Sequence, residues 1–333
     1  MPLSLSLRTT PWQDHSLEEL AQKANEWGYQ GLEVVCTAEH LAVQRALGES
    51  AYCQQLLDLL DQQELRLTAL SNPAVGQAMG DRPDPFYQRV LPDYVWGDGS
   101  PEGVQERAAG EMIATVRVAQ KLGGNLVVGA TGSPLTPFLF DCVPFPRDLV
   151  EGAYRQFGQR WQPVLDVCRE ASVRFALEVR PGQMAFDLYS AEQTLHAVQG
   201  HASFGFAINP ASLHWQGMDP VEFVRAFPER IFMVVACDAI VTLNGRNGIL
   251  GSHLPRGDHR RGWCTRCPGH GSVDWASLVR VLHEIGFDGP MSVMIDDPGM
   301  DRNYAAADAA PFLRRLDFLP AARGADAAFG DAQ

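Results

Sequence analysis

The chain has 333 residues, long enough for one large barrel or two ordinary domains. Its apolar share of 46% supports a sizeable core, while a formal charge of −13 argues against nucleic acid and against an anionic membrane surface, both of which need clustered Lys and Arg. No basic leader and no long apolar run is visible, and the seven scattered cysteines suit reduced thiols, so a cytoplasmic protein is expected.

Strand-like and helix-like segments alternate along the chain. Residues 3–7 alternate apolar and polar side chains, and 16–27 carry helical periodicity. A short strand at 31–35 precedes a helix around 52–62, and a third strand spans 65–71. An excursion rich in Gly, Pro and Asp covers 72–102. Helix 104–121 leads into strand 125–131, and a Phe/Pro-rich loop, 132–147, into helix 149–171. Strand 173–179, helix 191–198, strand 204–208, helix 220–227 and strand 231–237 follow. A second excursion, 239–271, is rich in Gly, Arg and His. Helix 275–285, strand 291–295 and a helix around 305–316 complete the order. The stretch 319–333 is rich in Ala, Gly and Asp and reads as a flexible tail, leaving 1–318 as one domain.

Strict β/α alternation implies a parallel sheet. Eight such units predict an α/β fold, a (β/α)8 TIM barrel with long loops after strands 3 and 7. The competing doubly wound open sheet lacks support, because no Gly-rich phosphate fingerprint follows an early strand. In a barrel, functional groups gather at the carboxyl ends of the strands. Polar residues cluster there: Glu33, Ser71 and Asn72, Thr131, Glu178 and Arg180, Asn209, Asp238, Asp296 and Asp297. Their convergence on one mouth predicts a small-molecule site.

Several stretches carry a family resemblance. They are Gly-Tyr-Gln-Gly-Leu-Glu-Val (28–34), Ser-Asn-Pro-Ala-Val-Gly-Gln-Ala (71–78) and Phe-Ala-Leu-Glu-Val-Arg-Pro (175–181). Three more are Asn-Pro-Ala-Ser-Leu-His-Trp-Gln-Gly (209–217), Gly-Ile-Leu-Gly-Ser-His-Leu (248–254) and Asp-Gly-Pro-Met-Ser-Val (288–293). Together they resemble the sugar phosphate isomerase/epimerase family, the xylose isomerase-like TIM barrels, over nearly the whole chain to about residue 318. The resemblance implies a metal site of Glu, Asp, His and Glu from strands five to eight. Only the first Glu is matched, by Glu178; the others fall on Asn209, Val235 and Met294. Further departures are Arg180 and Ser212 in place of His, Cys237 in place of Lys and Pro73 in place of His.

The residue chemistry points the same way. Mg²⁺ and Mn²⁺ want several oxygen ligands with carboxylate charge. Val235 offers none, Met294 offers a soft thioether, and Arg180 brings a cation to the strand parity of Glu178. No divalent metal and no other cofactor is therefore expected at the mouth.

Each candidate carries two readings. Glu178 is a general base or a structural partner of Arg180, and Arg180 a binder of a substrate carboxylate or phosphate or a balancing charge. His40 is an acid/base group or a solvated side chain. Asp296 replaces the lost carboxylate or caps the last helix. Asp238 joins the catalytic set, while Asn72, Asn209, His253 and His270 are expected as substrate contacts. Cys237 is a nucleophile or a small buried thiol. Cys264, Cys267 and His270, with His253 and His259 upstream, have zinc-like spacing but lack a second ordered pair, and the resemblance implies the favoured reading, a loop covering the substrate.

The expected function is a metal-independent isomerase- or lyase-like enzyme on an anionic small molecule, by proton transfer, isomerisation, cyclisation or elimination. The alternatives are a divalent-metal-dependent sugar or sugar-phosphate isomerase with relocated ligands, and a non-catalytic barrel that binds a ligand or supports a partner enzyme. The basic second loop, with Arg246, Arg256, Arg260, Arg261 and Arg266, is expected to attract an anionic substrate group or the acidic surface of a second subunit in a homo-oligomer.

Overall fold

The structure is a computed structural model that describes residues 3–139, 146–251 and 253–319. In chain order its strands are β1 (Ser4–Arg8), β2 (Gly31–Val35), β3 (Arg66–Ser71), β4 (Leu126–Gly129) and β5 (Arg174–Val179). Then come β6 (Phe204–Ile208), β7 (Ile231–Ala236), β8 (Asp238–Val241), β9 (Trp263–Arg266) and β10 (Pro290–Val293). All but β8 and β9 form a closed parallel barrel in the order β1-β2-β3-β4-β5-β6-β7-β10, with β10 pairing back to β1. The predicted (β/α)8 architecture is the observed one. The predicted tail lies outside the described residues from 320 onward.

The helices show why these sequences wrap a barrel. In Leu17–Glu26, Ser16 Oγ accepts the backbone N–H of Glu19, and the Glu19 side chain accepts that of Ser16. Leu17, Leu20, Ala21 and Ala24 then fall on one buried stripe. Such stripes join the outward faces of the strands in the main core, where Trp161, Phe175 and Phe204 pack ring against ring.

The barrel interior is a separate, smaller cluster, and it is lopsided. From β3 to β7 it is apolar: Ala69, Leu126, Val128, Ala176, Ala207, Met233 and Val235. Around β10, β1 and β2 it carries Ser292, Ser6, Arg8 and Glu33, all buried. Register explains the grouping, since Ser6 lies beside both Ser292 and Gly31, and Arg8 beside Glu33. Period-2 alternation then sends Leu5 and Leu7 outward to the helices and Ser6 and Arg8 inward.

Both excursions are more structured than their composition suggested. The first contains helices Pro73–Gly80 and Asp93–Trp96. Tyr94, although half exposed, is tied down because its hydroxyl donates to Glu111 Oε1 at 2.7 Å. The second contains the antiparallel ribbon β8–β9, with Asp238 opposite Arg266 and Val241 opposite Trp263. Short pieces of this kind hide in sequences dense in Gly and Pro, because turn residues dominate the local pattern.

Asp238 pins the return of that second excursion. Its Oδ1 accepts from the N–H groups of Ala239 and Val273, and its Oδ2 from Gly269 N–H and Trp275 Nε1. Gly271 passes so close that a Cβ there would collide with the carboxylate. Asp238→Ala leaves four donors unmatched in a buried place, and a loss of at least about 3 kcal/mol is expected. Thermal melting checks this: a Tm within a degree or two of the parent would mean the ribbon is held by other contacts.

Candidate active site

A cavity of about 330 Å³ opens at the carboxyl ends of the strands. Its lining includes Pro73, Glu178, Arg180, Asn209, Ser212, Cys237 and Met294, which are positions where the sequence departs from or matches the resembled pattern. Both excursions reach it, the first through Pro73 and the second through Arg256, Trp263 and Thr265. Trp263 from β9 stacks on Trp215 from the segment after β6, with ring centres 4.5 Å apart and planes within 2°. Two broader hollows of about 590 Å³ each lie between outer helices, away from the strand ends.

The centre of the site is Arg8, a residue the sequence reading passed over. Its guanidinium is buried; Nη1 donates to Glu178 Oε2 at 2.9 Å and lies 3.2 Å from Met294 Sδ. Nε is 2.8 Å from Glu33 Oε1, a charge contact whose N–H is not aimed at the oxygen. Burial disfavours the charged guanidinium, but Glu33 and Glu178 outweigh it and raise the pKa of Arg8 further. For Glu178, burial pushes upward, and the charges of Arg8 and Arg180 with the Asn209 hydrogen bond bring it below the usual carboxylate range. Asn209 Nδ2 donates to Glu178 Oε1 at 2.9 Å, while its Oδ1 caps helix Pro210–His214 by accepting Ser212 N–H.

Glu178 is not hydrogen-bonded to Arg180: it bonds to Arg8 and Asn209, and Glu178 and Arg180 line the same cavity. Arg180 makes a long 3.4 Å contact to Gln77 Oε1 and has no carboxylate partner among the described residues. Asp296 lines the cavity and pairs with Arg256 at 2.7 Å.

Other candidates turn away. His40 is buried, with Nε2 facing the Trp12 and His15 carbonyls and Nδ1 facing Thr9 Oγ1 and Gln13. Burial lowers its pKa, and its ring nitrogens are engaged by groups of the first loop away from the cavity, which makes the structural reading the better one. Asp238 spends both oxygens on the loop bracket. Asn72 donates to Thr115 Oγ1 and does not line the cavity. His253 is exposed, with φ of 57°, and His270 pairs with Asp308 at 2.8 Å; neither lines the mouth. Arg260 pairs with Asp258, and Arg261 donates to the Leu254 carbonyl and packs over Trp263. These two arginines therefore serve the loop itself rather than a free basic face. Cys237 lines the cavity, but burial raises its thiol far above the range of a nucleophile.

The donor set does not fit a hard divalent ion. A cation already occupies one oxygen of Glu178, an amide donor meets the other, and Asn209 Oδ1 is committed to a cap. Val235 lies in the apolar interior. Away from the mouth, Cys267, His270 and Asp308 have candidate ligand atoms within 4.8 Å of one another. The Cys267 thiol there donates to the Ala305 carbonyl, and burial pushes its pKa up to about 12. Cys264 sits on β9 and is not part of that trio.

No helix among the described residues is long and apolar enough to cross a membrane. A search of curated proteins returned no match. Among solved structures, the 3-keto-D-glucoside 4-epimerase YcjR from E. coli aligns at 12% identity and TM-score 0.64, over 94% of this chain and 99% of that one. A D-psicose 3-epimerase from Clostridium cellulolyticum H10 aligns at 14% and 0.64, over 94% and 99%. A probable 3-DHS dehydratase, AsbF, from Bacillus anthracis aligns at 14% and 0.65, over 93% and 98%. At such identities the likeness speaks for the fold alone. The family model described as a xylose isomerase-like TIM barrel matches residues 21–316, and the chain belongs to that family.

Proposed function

We propose that the barrel mouth binds a small anionic, sugar-like molecule and moves a proton on it without a divalent metal, as an isomerase- or lyase-like enzyme. The observation that carries this reading is Arg180, a cavity-lining guanidinium with no carboxylate partner among the described residues, set close enough to Glu178 to lower its pKa. A planar fork of this kind suits a carboxylate or phosphate. Glu178 is the base: ionised, lining the cavity, and held in position by Arg8 and Asn209. Asp296 is the second carboxylate, steadied by Arg256. Asn209 acts through Glu178 as a positioning residue. The stacked indoles of Trp215 and Trp263 give the cavity an apolar wall suited to the C–H face of a sugar. The printed names of the structural neighbours, two epimerases and a dehydratase, are consistent with chemistry at carbons bearing hydroxyl or carbonyl groups.

A specific observation favours a second reading, a non-catalytic ligand-binding barrel. His40 and Asp238 are spent on structure, and both oxygens of Glu178 already accept hydrogen bonds.

A panel of sugar phosphates and sugar acids in deuterated water with EDTA separates the two readings. The enzyme incorporates solvent deuterium at carbon; the binding barrel shows affinity without exchange. In the first case Glu178→Gln abolishes exchange while the fold and binding persist, and full activity in that variant removes Glu178 from the mechanism. Arg180→Ala should raise KM by roughly 10- to 100-fold with a smaller change in kcat, as expected for loss of a charged anchor. An unchanged KM would return Arg180 to a charge-balancing role.

The pH profile gives an independent check. Because the pKa of Glu178 is lowered, the base stays ionised to lower pH than an ordinary glutamate. The acid limb of kcat/KM should therefore lie below about pH 4.3, the unperturbed Glu value. A limb centred near neutrality would assign the base to another group.

A further inference from the structure

The geometry points to Arg8 as a built-in cation that takes the place of a divalent ion in this barrel, keeping metal out and presenting a hydrogen-bond donor to a substrate oxygen. Two ligand positions implied by the resemblance, Glu178 and Met294, come from β5 and from the residue after β10. They meet at one atom: Arg8 Nη1 donates to Glu178 Oε2 at 2.9 Å and touches Met294 Sδ at 3.2 Å. A nitrogen between the first and last ligand positions stands where an ion would have to stand. The cation is fixed from behind by Glu33, whose oxygen is 2.8 Å from Nε. Glu33 therefore supplies a negative charge that a site built only on Glu178 would lack.

The fork is only partly used. Nη1 and Nε face Glu178, Met294 and Glu33, whereas Nη2 has no hydrogen-bond partner among the described residues and is not one of the buried, unpartnered polar atoms. Arg8 lines the cavity, so this remaining N–H group is the donor available to a carbonyl or developing alkoxide oxygen. The donor role rests on the proposed function; the exclusion of metal does not, and it can be tested with no substrate.

The test uses Mn²⁺ alone. Calorimetry and the loss of free-ion EPR signal should show no stoichiometric Mn²⁺ site at the mouth of the unaltered chain. Arg8→Ala frees Glu33 and Glu178, and a gain of at least about tenfold in Mn²⁺ affinity is expected, with a Tm that rises when the ion is added. Arg8→Ala combined with Glu178→Gln should lose the gain. A folded Arg8→Ala chain with parental metal affinity overturns the proposal, as does a parental chain that binds one Mn²⁺ lost on Glu178→Gln. Should Arg8→Ala not fold, Met294→Glu serves: it restores a carboxylate but keeps the guanidinium. No uptake is expected from it, and stoichiometric Mn²⁺ binding by that variant overturns the proposal. If metal exclusion holds while deuterium exchange is absent, the failure lies with the proposed function and not with the cation.

Discussion

A guanidinium buried between two carboxylates leaves one negative charge over, which Arg180 near Glu178 helps to offset, and this balance organises the barrel mouth. Arg8 sits on β1, Glu33 on the neighbouring β2, and Glu178 on β5 across the interior. Taking ions out of water costs several kcal/mol each, and removing one partner from such a set typically costs about 3–5 kcal/mol. The triad therefore ties distant parts of the closed sheet to one geometry. It also makes room for itself: the interior near β10, β1 and β2 uses Ser where the opposite half uses Val, Leu, Ala and Met. Large apolar side chains at Ser6 or Ser292 would crowd the guanidinium and strip its surroundings of polarity.

The cover depends on a second set of contacts. Asp238 gathers three donors from the far end of the second excursion, besides the N–H of Ala239 next to it, so the ribbon leaves and returns at fixed points. The ribbon then brings Trp263 onto Trp215, and the adjoining loop brings Arg256 onto Asp296. One contact is apolar and flat; the other is an ion pair with its arginine largely exposed. An exposed pair of that kind adds little stability by itself. It does set the direction of the Asp296 carboxylate, and the indole stack does most to keep the wall in place.

The barrel was legible because eight period-2 or continuously apolar segments separated by helical ones leave few alternatives, and the closed parallel order follows. The match at Glu178 and the departures at Asn209, Met294 and Arg180 were legible too, and the structure brings them into one cavity. Arg8 was not, although a signal existed. Ser4-Leu5-Ser6-Leu7-Arg8 alternates, and the helices cover the outer face, so its leucines must point outward and Arg8 inward. Ending the strand at Leu7 hid that consequence. His40 and Asp238 failed for a different reason. A polar residue at a strand end can spend its hydrogen bonds on a ligand or on nearby backbone, and the local sequence is the same in both cases. Asp238 serves the backbone of Gly269 and Val273 together with the Trp275 indole, contacts that exist only after the loop has closed.

The exchange of a divalent ion for a guanidinium changes what a mouth of this shape can do. A hard ion carries two charges and draws in any oxygen lone pair, including both oxygens of a diol. A guanidinium carries one charge, spread over a plane, and acts only along its N–H directions. In Arg8 the Nη1 donors face Glu178 and Met294, and Nε lies beside Glu33. The side chain can therefore address a substrate oxygen only from Nη2, with weaker polarisation. On the proposed reading the lost pull must be offset by positioning. Arg180 has no carboxylate in hydrogen-bonding contact among the described residues, so a substrate anion held there would set the distance from the reacting carbon to Glu178. A substrate without its anionic group would lose its anchor, so that affinity would fall more than kcat. On the proposed reading the charged mouth therefore favours anionic over neutral sugars.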